Sequence, residues 1–169
     1  MSNSSDHLYT TELTDNGILV VTINIKHETM NVLNQEVMAA FSQLIDTVET
    51  NSSVTSVILS SGKAQCFIAG ADIKMLQKTQ SAEEGRNIVA SAHQLLLRIS
   101  ESKKPFIAAI DGVCLGAGYE LALACHYRLA TDNPATKIGL PEVMIGLLPG
   151  ATGTTKLSRL ISLPSALDI

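Results

Sequence analysis

An α/β fold with βαβ crossovers is predicted by three features of the sequence. β-branched runs alternate with segments of helical period, glycine-containing loops follow the strands, and 46% of the residues are hydrophobic while only 4% are aromatic. The core is therefore built from Val, Ile, Leu and Ala, and 169 residues suffice for one globular domain around it.

The elements follow in order. LYTTEL (8–13) and GILVVTINI (17–25) read as two strands joined at Asp15-Asn16-Gly17, a turn signal. KHETMNVL (26–33) is polar and irregular. From Asn34, read as a cap, Val37, Phe41, Leu44 and Val48 recur on one helical face. VTSVILS (54–60) is a β-branched strand, and SGKAQCFIAGAD (61–72) reads as a glycine-containing loop. Ser81 and Glu84 form a capping-box pattern that opens a second helix, with Ile88, Leu95, Leu96 and Ile99 inward. PFIAAID (105–111) is a buried strand begun by proline. Gly112 to Gly118 turns the chain, and YELALACHY (119–127) continues as a helix. RLAT (128–131) and TKIGL (136–140) are short strands, and helical pattern returns beyond Gly150. A last helix has only begun, near Pro164, when the sequence reaches Ile169. One domain over residues 1–169, truncated, is the expectation.

Composition narrows the function classes. A net charge of −4 without a basic stripe argues against nucleic acid. Cys66, Cys114 and Cys125 lack CxxC spacing, which points to a reduced, intracellular chain without a zinc site or disulfide framework. Cys125 and His126 are adjacent, so on a helix they diverge by about 100° and share a metal poorly. His27 and His93 stand singly and read as structural. The polar opening MSNSSDHLYTTELTDNG has no signal-peptide core, and no apolar run approaches the roughly 20 residues of a membrane span. A soluble, cytoplasmic protein is expected. Neither GxxxxGK[ST] nor GxSxG occurs. Gly116-Ala117-Gly118-Tyr119-Glu120-Leu121 begins like a dinucleotide fingerprint, but its third glycine is missing.

Two loops place small residues just before a helix: Ala69-Gly70-Ala71-Asp72 and Gly116-Ala117-Gly118. Helix N-terminal amides carry partial positive charge, and two converging on one oxygen stabilise a carbonyl turning into an enolate. Small residues there serve tight strand-to-helix packing equally well, and spacing alone does not separate the readings. Two carboxylates sit among apolar neighbours, Glu120 and Glu142. Sharing one low-dielectric pocket, such a pair has raised pKa values, so one can hold a proton while the other acts as base. That suits adding water across a double bond or moving a proton along carbon. A helix-dipole partner at Glu120 and a surface acid at Glu142 are the alternatives.

Five stretches taken together resemble the enoyl-CoA hydratase (crotonase) superfamily: MNVLN (30–34), FIAGADIKML (67–76), PFIAAIDGVCLGAGYELALACHYRLATD (105–132), KIGLPEVMIGLLPG (137–150) and LSRLISLPSALDI (157–169). More narrowly, Glu142 follows Glu120 by 22 residues, which looks like the N-terminal part of the multifunctional alpha subunits of bacterial fatty-acid oxidation complexes. The resemblance implies a crotonase-like (ββα) spiral core without its C-terminal helices. It implies hydration of trans-2-enoyl-CoA in fatty-acid β-oxidation, with isomerisation of 3-enoyl-CoA or a non-catalytic acyl-CoA-binding or assembly role as alternatives. The amides of Ala71 and Ala117 would hold the thioester oxygen. Glu120 would activate water, and Glu142 would exchange the proton at the α carbon, with the assignment of base and acid left open. Lys26 to Met30, with Gly70, Ala71, Asp72, Ile73 and Lys74, would lie along the acyl-CoA, and Gly116 would line its site. No cofactor is implied for hydration beyond the coenzyme A of the substrate, and no metal. NAD belongs to a dehydrogenase domain outside this sequence, and the partners implied are a second copy or a thiolase beta subunit. Two departures stand out: Ala117 where the family usually has glycine, and PGATGTTKL in place of PGAGGTQRL. Without the family's further helices, the resemblance implies weak or no activity for the piece as given.

Overall fold

The structure, a computed structural model, describes residues 7–168. The first six residues of the polar opening, and Ile169, lie outside them. In chain order the elements are β1 (Tyr9–Leu13), β2 (Ile18–Ile23), α1 (Gln35–Thr50), β3 (Ser56–Ser61), β4 (Cys66–Ile68), α2 (Ile73–Gln77) and α3 (Ala82–Glu101). Then come β5 (Phe106–Ile110), β6 (Val113–Leu115), α4 (Ala117–Ala124), β7 (Tyr127–Ala130), β8 (Lys137–Gly139), a 3₁₀ helix (Pro141–Ile145), α5 (Gly153–Leu160) and α6 (Leu163–Leu167).

The strands form a five-stranded sheet, ordered β1-β2-β3-β5-β7, and a three-stranded sheet, ordered β4-β6-β8. β1 and β2 are an antiparallel hairpin, and the other pairings between these strands are parallel. The register places Val21 beside Leu59 and Leu59 beside Ala108, so one fully buried row crosses the middle of the large sheet. Alternate residues of β2 face that core because strand side chains alternate sides.

The helices cover this core. Asn34 caps α1, its Oδ1 accepting the Val37 N–H at 2.9 Å, and Val37, Phe41, Leu44 and Val48 are buried. Ser81 caps α3 through the Glu84 N–H at 3.1 Å, while the Glu84 carboxylate reaches back to the Gln80 N–H at 2.8 Å, one residue earlier than a capping box requires. Leu95, Leu96 and Ile99 are buried, whereas Ile88 is half-buried and faces a cavity. Helix α4 is buried from Gly118 to Ala124, apolar on all sides except at Glu120, as expected of a central helix. It lies so close to β4 that a methyl on Gly118 would stand 2.4 Å from the Ile68 carbonyl oxygen.

The structure corrects several boundaries. β4 falls inside the stretch read as a loop and β6 inside the stretch read as a turn. Each has three residues, too few to show a period, and flanking glycines masked both. Tyr127 begins β7 instead of ending a helix, since the chain is already extended at Cys125. Glu142 sits on a 3₁₀ helix whose opening Pro141 suits a first helical position.

Candidate active site

The segment before α1 fixes the first small-residue loop. Asn31 is fully buried: its Oδ1 accepts the Ile25 N–H at 3.1 Å, and its amide nitrogen lies 2.9–3.1 Å from Ser61 Oγ and from the carbonyls of Ile23 and Phe67. The Ala69 N–H donates to the Asn31 carbonyl at 2.8 Å. Leu33 then brackets the loop, donating its N–H to Gly70 O at 2.8 Å and accepting the Asp72 N–H at 2.9 Å. Backbone groups of successive extended residues point to opposite sides, so the Ala71 N–H is directed away from Leu33. It meets no acceptor among the described residues.

The second loop ends at Gly116, whose φ of +52° glycine adopts readily. A methyl there would stand 3.0 Å from Glu142 Oε1 and 3.8 Å from Gly70 Cα, so both loops and the second carboxylate converge on Gly116. Ala117 follows as the first residue of α4, where its N–H has no intrahelical acceptor and lies at the positive end of the helix.

A cavity of about 420 Å³ opens at this point, within the roughly 300–1,000 Å³ of small-molecule sites. Gly70, Ala71, Gly116, Ala117, Glu120 and Glu142 line its polar end. Aliphatic side chains, among them Met75, Ile88, Leu96 and Leu148, line the rest.

Glu120 is 2% exposed. Its Oε1 accepts main-chain N–H groups from Ala151 at 2.8 Å and Gly153 at 2.7 Å, and Oε2 accepts from no group among the described residues. Burial raises its pKa; the two amides oppose this, the charge of Glu142 raises it further, and His93 lowers it. Burial likewise raises the pKa of Glu142, whose buried Oε2 has no hydrogen-bond partner among the described residues. These are two carboxyls of unequal surroundings within electrostatic reach, one anchored and one free.

Of the remaining residues singled out from the sequence, Ile73 lines the cavity. Asp72 caps α2 through the Lys74 N–H at 2.9 Å and faces an adjoining polar groove. Lys26, Met30 and Lys74 are exposed and do not line the cavity. Missed from the sequence were the Ala151 and Gly153 amides, which the glycine-bearing PGATG stretch could have signalled, and the role of Asn31, which lies in the MNVLN stretch but whose partners no local pattern marks.

Comparison with known proteins gives this geometry a context. Fatty acid oxidation complex subunit alpha of Shewanella loihica is 41% identical over 97% of this chain, and that of Idiomarina loihiensis is 41% identical over 98%. The chain spans 23% of the length of each. The crystal structure of an enoyl-CoA hydratase from Geobacillus kaustophilus superposes with a TM-score of 0.88 at 33% identity, covering 96% of this chain and 60% of that one. An enoyl-CoA hydratase from Bacillus anthracis gives 0.86 at 27% identity, with 95% and 61% covered. The family model described as enoyl-CoA hydratase/isomerase matches residues 13–169, nearly the whole chain, and to that family the chain belongs.

Proposed function

We propose that this chain hydrates trans-2-enoyl-CoA thioesters, as a step of fatty-acid β-oxidation. The observation that carries the reading is the buried, unpartnered Oε2 of Glu142, which shares a cavity with Glu120 and with two unpaired main-chain donors. A burial of that kind costs about 1–3 kcal/mol, more for a charge, and a bound substrate that supplies a partner removes the cost.

The thioester oxygen accepts from the N–H groups of Ala71 and Ala117, which draw charge from the C2–C3 double bond and stabilise the enolate that forms. Water lies against the free Oε2 of Glu120, which takes a proton as the water oxygen bonds to C3. Burial favours the protonated form of Glu142, and from that form it delivers a proton to C2. The product is the 3-hydroxyacyl thioester, and transfer of the proton from Glu120 to Glu142 restores both groups. The aliphatic end of the cavity takes the acyl chain. The coenzyme A moiety runs along the exposed Lys26–Met30 segment and α2, where Lys26 and Lys74 offer charge to its phosphates.

Incubating the protein with crotonyl-CoA tests this, with loss of the enoyl absorbance and 3-hydroxybutyryl-CoA identified by chromatography as the expected result. Conversion of a 3-enoyl-CoA to the 2-enoyl isomer without any hydration would select the isomerase reading instead. Binding of acyl-CoA with neither reaction would select a scaffold.

A further inference from the structure

Glu120 is held through a peptide group that is itself held from the far side. The Gly150 carbonyl and the Ala151 N–H belong to one planar peptide unit. The N–H donates to Glu120 Oε1 at 2.8 Å, and the carbonyl lies 2.7 Å from Nε2 of His93, on α3. A carbonyl oxygen only accepts, so Nε2 carries a proton and donates. Hydrogen bonds in series polarise one another, and a donor on the carbonyl makes the amide at the other end of the peptide a stronger donor.

The loop depends on this contact. Among the described residues, the bond from His93 is the one hydrogen bond made by the main chain of residues 148–150. Leu148 is 81% exposed, so side-chain burial anchors the loop little. Without His93, the carbonyl side of the Gly150–Ala151 peptide has no hydrogen bond among the described residues, and its orientation rests on the Ala151 N–H bond to Glu120 and the burial of Ala151.

We infer that His93 is a positioning residue for Glu120, orienting the Gly150–Ala151 peptide so that its N–H fixes the carboxylate at the cavity. The inference rests on the hydratase reading for its consequence in turnover, but not for its geometry. The ionisable groups whose charges Glu120 feels are Glu142, on the 3₁₀ helix, which disfavours its ionised form, and His93, which favours it. Removing His93 therefore moves the Glu120 titration to higher pH.

The test compares His93→Ala and His93→Gln in crotonyl-CoA hydration and in the carboxyl titration of Glu120, followed by ¹³C NMR. H93A lowers kcat about tenfold, the scale of one lost hydrogen bond to a charged group. Its KM stays within about twofold, since ground-state binding is untouched. Its Glu120 titrates at higher pH than in the parent. H93Q, whose side-chain amide still donates to Gly150 O, recovers most of kcat. Should H93A fail to fold, His93→Phe serves as the donor-free variant. An unchanged kcat and titration in the donor-free variant, or an H93Q as slow as H93A, overturns the inference. A parent without hydratase activity defeats the proposed function instead, and the NMR titration then judges His93 alone.

Discussion

Glu120 and Gly153 meet at 2.7 Å, the Gly153 N–H donating to Glu120 Oε1, and a methyl on Gly153 would stand 2.9 Å from that same oxygen. The glycine thus supplies a donor and the room to approach it. Gly153→Ala forces the carboxylate or Leu140, whose Cδ1 would lie 3.0 Å from the methyl, to shift. Turnover falls about 100-fold if the carboxyl moves by about 1 Å. Overpacking costs about 1–3 kcal/mol, read from urea unfolding.

Glu142→Gln separates function from stability. The carboxyl has a buried oxygen without a partner, so the fold gains nothing from its charge. The variant unfolds at the parent's temperature or above, because a neutral amide of the same shape carries none of the desolvation cost of the ionised carboxyl. Hydration falls about 10²–10⁴-fold, the usual contribution of a positioned acid. Calorimetry beside a hydration assay reads both.

Stability should fall as pH rises above 4.5, to the extent that Glu120 and Glu142 are responsible. Burial raises both pKa values above their ordinary 4.5, so between 4.5 and the native values the folded chain binds more protons than the unfolded one. With the unfolded state holding fewer protons, unfolding free energy decreases with pH across that window. Below 4.5 both states are protonated and the full contribution is present. Subtracting the pH–stability curve of a Glu120→Gln/Glu142→Gln variant from that of the parent isolates this slope, which should be negative.

Thr152 offers a stabilising change. It adopts φ +86°, a left-handed conformation unusual for a β-branched residue, and its buried hydroxyl has no partner among the described residues. Thr152→Gly relieves strain of about 1–2 kcal/mol, partly offset by the greater freedom of glycine in the unfolded chain. A net gain of about 1 kcal/mol in urea unfolding is expected, with the Ala151 and Gly153 amides left in place.

Asn31→Ala should be the most destabilising of these substitutions. It strands the Ile25 N–H in a fully buried site and removes a donor from the Phe67 carbonyl, at about 1–3 kcal/mol for each group left unsatisfied, while the Ile23 carbonyl keeps the Gly62 N–H at 2.8 Å. Urea unfolding measures the loss, and hydrogen exchange at Ala69 should quicken as the loop before Ala71 loosens.

Much of this was legible in the sequence because it rests on local signals. The alternation of Val20 and Val21 across a strand, the Asn34 cap and the spacing of Val37, Phe41, Leu44 and Val48 are short-range patterns, and the observed elements follow them. Glu120 and Glu142 stood out as acids among apolar neighbours, and both line the cavity. The structure adds what spacing cannot encode. Cys66 to Ile68 form a strand only because β6 lies beside them, a pairing across more than 40 residues. His93 looked structural because its partner, Gly150, is 57 residues away. No local pattern marks the partners of Asn31: it joins β2, β3 and β4 through four contacts that exist only once the sheets are assembled.

Measuring acyl-CoA binding and crotonyl-CoA hydration in parallel, on the parent and on Glu120→Gln, tests the central claim most directly. The account predicts that calorimetry finds the thioester bound by both, with affinities within about threefold, while hydration in the variant falls by about 10²-fold or more. Hydration by Glu120→Gln at the parent's rate, or a parent that binds no acyl-CoA, would contradict it.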